Sequence, residues 1–368
     1  MPKRVCQHCG VPFEISDSQI GDDLPCPSCG KSILSPRHVR AANEKIKLVV
    51  TPPPDEIYSA AKLAGLAQQI IANVQRVIVG KPEQVTLAVA ALFAEGHILL
   101  EDVPGVAKTM LSRAVAQSVG CSFRRIQCTP DLKPEQVVGD FYQDPETGKR
   151  DFRFGPIFSQ MVLVDEINRA SPQTQSALLE AMGEGAVTMD RISYKLEKPF
   201  MVMATQNPIE QEGTFRLPEA QMDRFLIRLS LGYPDAAQEK EMCVRAQQQH
   251  PIENLKAITT GDDIIKCQRG VREIAVSPEV CHYLVELTRA TRSHPALLLG
   301  ASPRGSLGLF HAAQAVAGIA GRSSVAIEDI KAIAVSILAH RLLVKREAQK
   351  DFPDGGAVIK DILAKLKI

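Results

Sequence analysis

The sequence predicts an α/β fold in which a parallel sheet is flanked by helices and followed by an all-helical region. Three apolar segments, at 97–101, 161–164 and 200–204, each run into polar residues, as buried parallel strands do at their carboxyl ends. After Gly232 the apolar residues recur with helical spacing. These observations predict a sheet domain over 57–232 and a helical lid over 233–368.

A turn with the layout of a phosphate-binding loop follows the first strand. A Pro-Gly turn leads into Lys108 and Thr109 at the start of a helix. Backbone N–H groups and a helix amino terminus together attract anions. We expect Lys108 to reach the β- and γ-phosphates and Thr109 to hold Mg²⁺. The predicted loop residues are Val103, Pro104, Gly105, Val106, Ala107, Lys108, Thr109 and Met110.

The loop departs from the usual G-x-x-x-x-G-K-[ST] pattern at two positions, Asp102 and Ala107. Ala107 directly precedes the helix, where we expect a negative φ that a Cβ tolerates. A carboxylate at Asp102 would repel phosphates unless it points away or is neutralised. The alternative interpretation is a plain strand–turn–helix connection with an exposed lysine.

Polar residues end the other two predicted strands. Asp165 and Glu166 follow the second strand, at the edge where open α/β sheets bind ligands. We expect Asp165 to order the Mg²⁺ shell and Glu166 to polarise the attacking water as general base. Asn207 follows the third strand and is expected to bond the γ-phosphate or the water. The alternatives are a solvated acidic turn and a turn-forming Asn before proline.

Arg224, in the segment Met222–Phe225, is a candidate arginine finger. A guanidinium is always charged and binds phosphate oxygens through two bonds, so it suits a γ-phosphate on a neighbouring subunit. The alternative is a surface salt bridge with Asp223 or Glu219.

Arg304 is expected in the first turn of a lid helix. Ser302 has the properties of an N-cap, and Pro303 those of a first helical residue. From that position Arg304 would close onto the phosphates. The alternative is an ordinary arginine on a helix surface.

The phosphate loop, the paired acids, the asparagine and the two arginines follow one another in an order that resembles the AAA+ ATPase superfamily. The words DVPGVAKT, LVDEINRASPQTQSALLEAM, ATQNPIEQEGTFRLPEAQMDRF and GASPRG resemble its MoxR family, over about residues 57–346. The resemblance implies ATP and Mg²⁺ as cofactors, and a homo-oligomeric ring, a hexamer, that hydrolyses ATP. It implies chaperone-like remodelling or maturation of client proteins, metal or cofactor insertion, and von Willebrand A-domain partners. It also implies two hairpins facing the ring pore, which alternation places at 137–156 and 187–194.

Two other functions are compatible with the same motifs. One is a nucleic-acid motor or regulator like the MCM helicases of the same clade, against which the net charge of +1 argues. The other is a nucleotide-gated scaffold with little hydrolysis, motivated only by Asp102.

Two C-x-x-C-G knuckles precede the ATPase region, at Cys6, Cys9, Cys26 and Cys29. Four thiolates on two tight turns match tetrahedral zinc, so we predict a structural zinc ribbon over 1–35. A redox dithiol and an iron–sulfur site are the alternatives. The ribbon is slightly acidic, which favours docking to protein over nucleic acid. A proline-rich linker is predicted over 36–56.

Composition indicates a soluble globular protein: 368 residues with 45% hydrophobic content. The amino terminus lacks the apolar stretch of a signal peptide, and the least polar run, 305–321, is too short to span a bilayer. We therefore expect no membrane span and a cytoplasmic location. The remaining cysteines are expected to be reduced core residues: Cys121, Cys128, Cys243, Cys267 and Cys281.

Overall fold

A computed structural model describes residues 56–143, 148, 150–190, 192–207, 214–245 and 251–366, together with four short strands near the amino terminus. The described residues fall into two compact units, one with 1–52 and 142–151 and one with 53–141 and 152–368. The four predicted zinc ligands, Cys6, Cys9, Cys26 and Cys29, lie outside the described residues, as does the predicted linker apart from Glu56.

The four short strands are β1 (Lys3–Val5), β2 (Pro12–Glu14), β3 (Leu24–Pro25) and β4 (Ser32–Ile33). They form two antiparallel pairs, β1 with β2 and β3 with β4. Each predicted cysteine knuckle falls, in sequence, between the two strands of one pair.

The described residues contain eleven further strands: β5 (Ile98–Glu101), β6 (Phe123–Gln127), β7 (Gly139–Gln143), β8 (Arg150–Phe154), β9 (Met161–Asp165), β10 (Ala186–Met189), β11 (Ile192–Lys195), β12 (Met201–Gln206), β13 (Ile227–Leu229), β14 (Leu297–Leu299) and β15 (Leu343–Val344). Five of them form a parallel sheet in the larger unit, in the order β13-β5-β12-β9-β6. The central strands β9 and β12 are buried along their apolar residues, which explains their continuous apolar sequence.

Helices cover this sheet and then form the lid. They are α1 (Ala60–Gln75), α2 (Pro82–Phe93), α3 (Lys108–Ser118), α4 (Pro134–Val138), α5 (Pro172–Glu184), α6 (Glu219–Met222), α7 (Ala236–Arg245), α8 (Gly261–Arg272), α9 (Pro278–Ser293), α10 (Pro303–Ile319), α11 (Ile327–Leu338) and α12 (Gly355–Lys365). A 3₁₀ turn, Ala339–Arg341, follows directly on α11.

The start of α10 confirms the predicted cap of the lid helix that holds Arg304. The Ser302 hydroxyl accepts from the backbone of Arg304, and Pro303 begins α10. Ser277 caps α9 in the same way, ahead of Pro278. The lid is not purely helical, however, because β14 and β15 pair antiparallel within it. Two or three paired residues are too few to give an alternating pattern in the sequence.

Both predicted hairpins are confirmed, β7 with β8 and β10 with β11. One cluster of aromatic rings packs between them. Phe152 stacks on Tyr194 with ring centroids 4.9 Å apart and planes 13° from parallel. Rings from both hairpins and the following loop complete this aromatic cluster: Phe141, Phe152, Phe154, Phe158 and Tyr194. The two hairpins therefore share one small apolar core.

The cysteine prediction is right for three residues and wrong for one. Cys121, Cys128 and Cys267 are buried and unpaired, and burial raises the pKa of each thiol to about 12. Cys281 is partly buried, whereas Cys243 is exposed. Cys243 lies on α7, a helix without a buried residue, so its neighbours contribute no core there. None of the described helices is long and apolar enough to cross a membrane.

Two buried histidines are held neutral by the fold. His97 Nδ1 accepts from the backbone N–H of Val202, and its Nε2 lies 3.0 Å from the carbonyl of Met182, so Nε2 carries the proton. Burial lowers the pKa of His97 to about 4. His340 bonds the carbonyl of Phe225 at 3.0 Å, and burial lowers its pKa to about 3. Protonating either ring would place an uncompensated charge in the core.

These histidines make the free energy of unfolding fall as pH drops below 6.5. The unfolded state binds protons near pH 6.5, whereas the folded state stays neutral down to about pH 4 at His97. Each histidine should therefore cost about 2 kcal/mol of stability between pH 7 and 5. Urea unfolding of His97→Gln should show lower stability at pH 7 but a smaller decline by pH 5. The exposed His282, changed to Gln, is the control; an unchanged decline in His97→Gln would contradict the assignment.

Candidate nucleotide site

Strand register brings the predicted site residues to one edge of the sheet. Glu101 of β5 lies opposite Gln206 of β12, and β12 is paired on its other side with β9. Gln127 of β6 lies opposite Asp165 of β9. The loop after β5, the acids after β9 and the residues after β12 therefore leave the sheet side by side, as predicted.

The loop and the start of α3 have the properties of an anion cradle. Gly105 has φ +83°, and the position that a Cβ would take there has no atom within 4 Å. No side chain caps α3, and its first turn holds no acidic residue. The N–H groups of this turn thus face no competing carboxylate, which fits a phosphate group at the positive end of the helix.

The predicted backbone of Ala107 is wrong. Its φ is +63°, in the left-handed region, rather than negative. The chain turns sharply between Gly105 and Lys108 to enter the helix, and this turn requires the conformation that the usual glycine adopts freely. An alanine there is strained by roughly 1 kcal/mol. The rest of the loop therefore holds Ala107 in a backbone conformation that alanine disfavours.

Asp102 does not oppose phosphate binding, because its buried carboxylate is fully engaged elsewhere. One oxygen accepts from the backbone N–H groups of Leu231 and Gly232 at 2.6 and 2.7 Å, and from the hydroxyl of Ser230 at 3.2 Å. The other accepts from the N–H of Val103 at 3.0 Å. The carboxylate is therefore neutralised by four donors, and the motive for the scaffold alternative disappears.

Lys108 and Thr109 lie where the loop prediction places them, at the first two positions of α3. The Lys108 ammonium donates to the carbonyl of Asp102 at 2.7 Å, across the mouth of the loop. This bond fixes the Lys108 ammonium beside the loop, where an incoming phosphate oxygen would bind it.

Asp165 accepts hydrogen bonds on both carboxylate oxygens. Thr205 donates its hydroxyl to one oxygen at 2.5 Å, and Arg125 forms an ion pair with the other at 2.6 Å. Thr205 is buried, and its oxygen also accepts from the backbone N–H of Glu166 at 2.8 Å. A single hydroxyl thus fixes both acids, a role that the strand pattern of 200–204 did not reveal.

Glu166 is set in a strained conformation, with φ +57° in the left-handed region. Such outliers concentrate at functional sites. Its carboxylate accepts from the Gln127 amide at 3.0 Å and from the Arg169 guanidinium at 2.9 Å. Gln127 and Arg125 both belong to β6, an edge strand of the sheet with three exposed residues.

The donor set fits magnesium held through its water shell. The Thr109 hydroxyl and the Asp165 carboxylate are oxygen ligands, which Mg²⁺ prefers. Both oxygens of Asp165 already accept from protein donors, so direct coordination would compete with Thr205 and Arg125. Mg²⁺ readily keeps several waters, and these would reach the remaining lone pairs of Asp165.

Asn207 is buried directly after β12, one strand from Asp165. Asn207 and Asp165 thus follow neighbouring strands at the same edge of the sheet. Its function there stays a prediction.

Arg224 does not form the surface salt bridge considered as its alternative. Its guanidinium donates to the carbonyl of Leu179 on α5 at 2.6 Å. Asp223 instead pairs with Arg341 of the lid and accepts from Ser302 at 2.8 Å. Arg224 lies against Gly183, where a Cβ would come within 1.9 Å of the guanidinium. The missing side chain at 183 makes room for Arg224.

Arg304 lies in the first turn of α10, as predicted, with an exposed side chain. The sequence did not single out Arg341, the buried arginine behind it. Arg341 comes from the far end of the lid, 37 positions after Arg304, so no local pattern connects the two.

Comparisons with known protein families identify both parts of the larger unit. Residues 97–227 match the family described as "ATPase family associated with various cellular activities (AAA)". Residues 289–362 match the AAA lid domain. The first match contains the phosphate loop, both acids, Asn207 and Arg224, and the second contains Arg304.

Three known proteins are similar to this chain over most of its length. The chain is 46% identical to YeaC of Bacillus subtilis, itself uncharacterised, over 82% of this chain and 95% of that protein. It is 37% identical to Chaperone MoxR1 of Mycobacterium tuberculosis, over 84% of each chain. A crystal structure of a proposed ATPase from Cytophaga hutchinsonii, 34% identical, superposes with a TM-score of 0.78 over 90% of this chain and 99% of that one.

Filling the space beside Arg224 should slow nucleotide hydrolysis without weakening the fold. In Gly183→Ala the new Cβ would displace the guanidinium from Leu179. Replacing a helix-interior Gly by Ala should also add about 1 kcal/mol of helix stability. We expect the melting temperature to hold or rise while kcat falls at least about tenfold, because Arg224 would lose the phosphate contact that the sequence predicts for it.

Gly65→Ala is the matched control, because Gly65 is also inside a helix and no atom lies within 4 Å of its Cβ position. It should stabilise the protein and leave kcat unchanged. Wild-type kcat in Gly183→Ala would show that the seat of Arg224 does not matter for hydrolysis.

Proposed function

Because this chain belongs to the MoxR family of AAA ATPases, we propose that it is a Mg-ATP-dependent ring ATPase that remodels or matures client proteins. The family makes the chain an ATPase with a chaperone-like relative. The observation that carries the proposal is the grouping of the phosphate loop and both acids at one sheet edge, with their charges already balanced by partners.

The proposed chemistry assigns one task to each group. The backbone of 103–107, Lys108, Thr109 and Met110 bind the phosphates, as a helix amino terminus and a lysine suit. Asp165 orders the Mg²⁺ shell. Glu166 takes a proton from the attacking water, and Asn207 orients that water or the γ-phosphate.

Two arginines complete the proposed site. Arg304 extends from the first turn of the lid helix α10 and would act on the nucleotide of its own subunit. Arg224 would act on the γ-phosphate of the neighbouring subunit, which leaves the active site incomplete in a monomer. We therefore propose a homo-oligomeric ring, a hexamer, consistent with the oligomeric habit of AAA ATPases.

The proposal of protein clients rests on the relatives of this chain. Chaperone MoxR1 carries a chaperone name, and its 37% identity supports protein clients over nucleic acid. The near-neutral charge supports the same choice. Metal or cofactor insertion, with von Willebrand A-domain partners, is the proposed client context.

ATP hydrolysis per subunit should rise with protein concentration, because the proposed site is shared between subunits. Glu166→Gln should lower kcat at least about 100-fold while ATP still binds. Arg224→Ala should lower kcat by a similar factor, about 100-fold or more. Initial rates across a 100-fold range of concentration, with nucleotide affinity measured separately, check both expectations.

Arg289→Ala is the control, since Arg289 is an exposed lid arginine paired with Glu286. It should retain wild-type activity. Specific activity independent of concentration, in a protein that stays monomeric with saturating ATP, would contradict the ring.

We further propose that residues 1–35 form a structural zinc ribbon. Each cysteine pair falls between two paired strands in the sequence, the arrangement in which tight turns present thiolates to one metal. Four thiolates complete the coordination of zinc, so this metal would stabilise the ribbon and have no open position for catalysis.

The full chain should contain one zinc per subunit, measured by metal analysis after exhaustive dialysis. Cys6→Ser with Cys29→Ser should remove that zinc and leave the basal ATPase rate within about twofold, because the metal has no place in the proposed hydrolysis. Cys243→Ser, at an exposed cysteine, is the control and should keep the zinc. Bound iron, or no bound metal, would refute the zinc ribbon.

A further inference from the structure

Arg341, a buried arginine of the lid, binds the backbone on both sides of Arg224. Arg341 donates to the carbonyl of Asp223 and to the carbonyl of Phe225, each at 2.7 Å, and it forms an ion pair with the Asp223 carboxylate. Its side chain is only 2% exposed. The residues on both sides of Arg224 are therefore fixed by a single guanidinium.

The same ion pair continues into the helix that holds Arg304. The second oxygen of Asp223 accepts from the Ser302 hydroxyl at 2.8 Å. That hydroxyl in turn accepts from the backbone N–H of Arg304 at 3.1 Å, as the cap of α10. We call Asp223, Ser302 and Arg341 the arginine bridge, because they connect the immediate neighbours of Arg224 and Arg304.

Helix α10 is shaped to admit this arginine. The Cβ position of Gly305 lies 3.3 Å from the Arg341 side chain, and that of Gly308 lies 3.5 Å from its guanidinium. Larger side chains at either position would press on Arg341. The lid helix and the arginine bridge are thus packed directly together.

Electrostatic repulsion also links Arg341 to Arg304. Burial lowers the pKa of Arg341, Asp223 opposes that shift, and the positive charge of Arg304 lowers the pKa further. The two guanidinium groups therefore repel each other across the bridge. Phosphate next to Arg304 would offset its charge and relieve that repulsion.

We propose that Arg341 is a positioning residue that transmits the state of a subunit's own nucleotide, sensed through Arg304, to Arg224 at the neighbouring subunit's site. The inference rests on the proposed function, in which Arg304 acts within its subunit and Arg224 acts on the next. A purely structural Arg341 would hold the lid in place without affecting the neighbouring site.

Mixed rings separate these roles. A Glu166→Gln subunit cannot hydrolyse its own ATP but has an intact Arg224 to offer its neighbour. Arg341→Lys keeps the positive charge and loses the planar fork that bonds several acceptors at once. Alone, Arg341→Lys should lose at least about tenfold in kcat with its KM near wild type. Its melting temperature should fall, because lysine leaves some of the buried acceptors unpaired. Mixed with Glu166→Gln, its activity per active subunit should rise severalfold.

Asp223→Asn keeps the side-chain shape, removes the charge and should give the same pattern with a smaller loss. It decides the question if Arg341→Lys does not fold. Arg224→Ala mixed with Glu166→Gln is the benchmark for action on the neighbour.

The outcomes distinguish the coupling from the function on which it rests. If the benchmark recovers activity but the bridge variants do not, the coupling role of Arg341 is refuted while the shared site stands. If the benchmark itself fails, Arg224 does not act on the neighbour, and both proposals fall. Recovery in the benchmark and in the bridge variants supports the coupling.

Discussion

The buried carboxylate of Asp102 is the contact on which both the phosphate loop and the lid depend. It accepts from Val103 at the start of the loop and from Leu231 and Gly232, where the chain leaves the sheet toward the lid. Hydrogen bonds to a charged group contribute about 1.5–3 kcal/mol each. A glycine, which the usual loop pattern has here, would remove these side-chain bonds and leave the two segments joined only through the pairing of β5 with β13 and the Arg228–Glu101 ion pair. The loop therefore departs from the common pattern to gain an anchor.

The second constraint on the site is that its two adjacent carboxylates are each neutralised by an arginine of the same chain. Asp165 and Glu166 are consecutive carboxylates, and each is paired with its own arginine, Arg125 and Arg169. The pairing offsets the repulsion between the acids and sets their orientation in advance. Thr205 adds a neutral connection between them from the adjacent strand. Preorganised polar groups of this kind need little rearrangement when charge develops during a reaction.

The parts predictable from sequence are those set by local chemistry or by strand order. Ser302 and Pro303 specify a helix start within two residues, and the acids lie at the sheet edge because parallel strands share a direction. The backbone of Ala107 differs from the prediction because the sharp turn into α3 overrides the preference of alanine for negative φ. No local sequence pattern marks Thr205, Gln127 or Arg341 as a site residue, for another reason. Each acts through a partner on a different element, and a single sequence gives no measure of that distance.

The aromatic cluster ties the two hairpins to each other although they are far apart in the sequence. Phe141 and Phe154 pack on Phe152 within the first hairpin. The stack of Phe152 on Tyr194 joins that group of rings to the second hairpin. A smaller ring at either position of the stack would therefore leave a gap that is lined by both hairpins, so the size of one side chain constrains its counterpart about forty positions away.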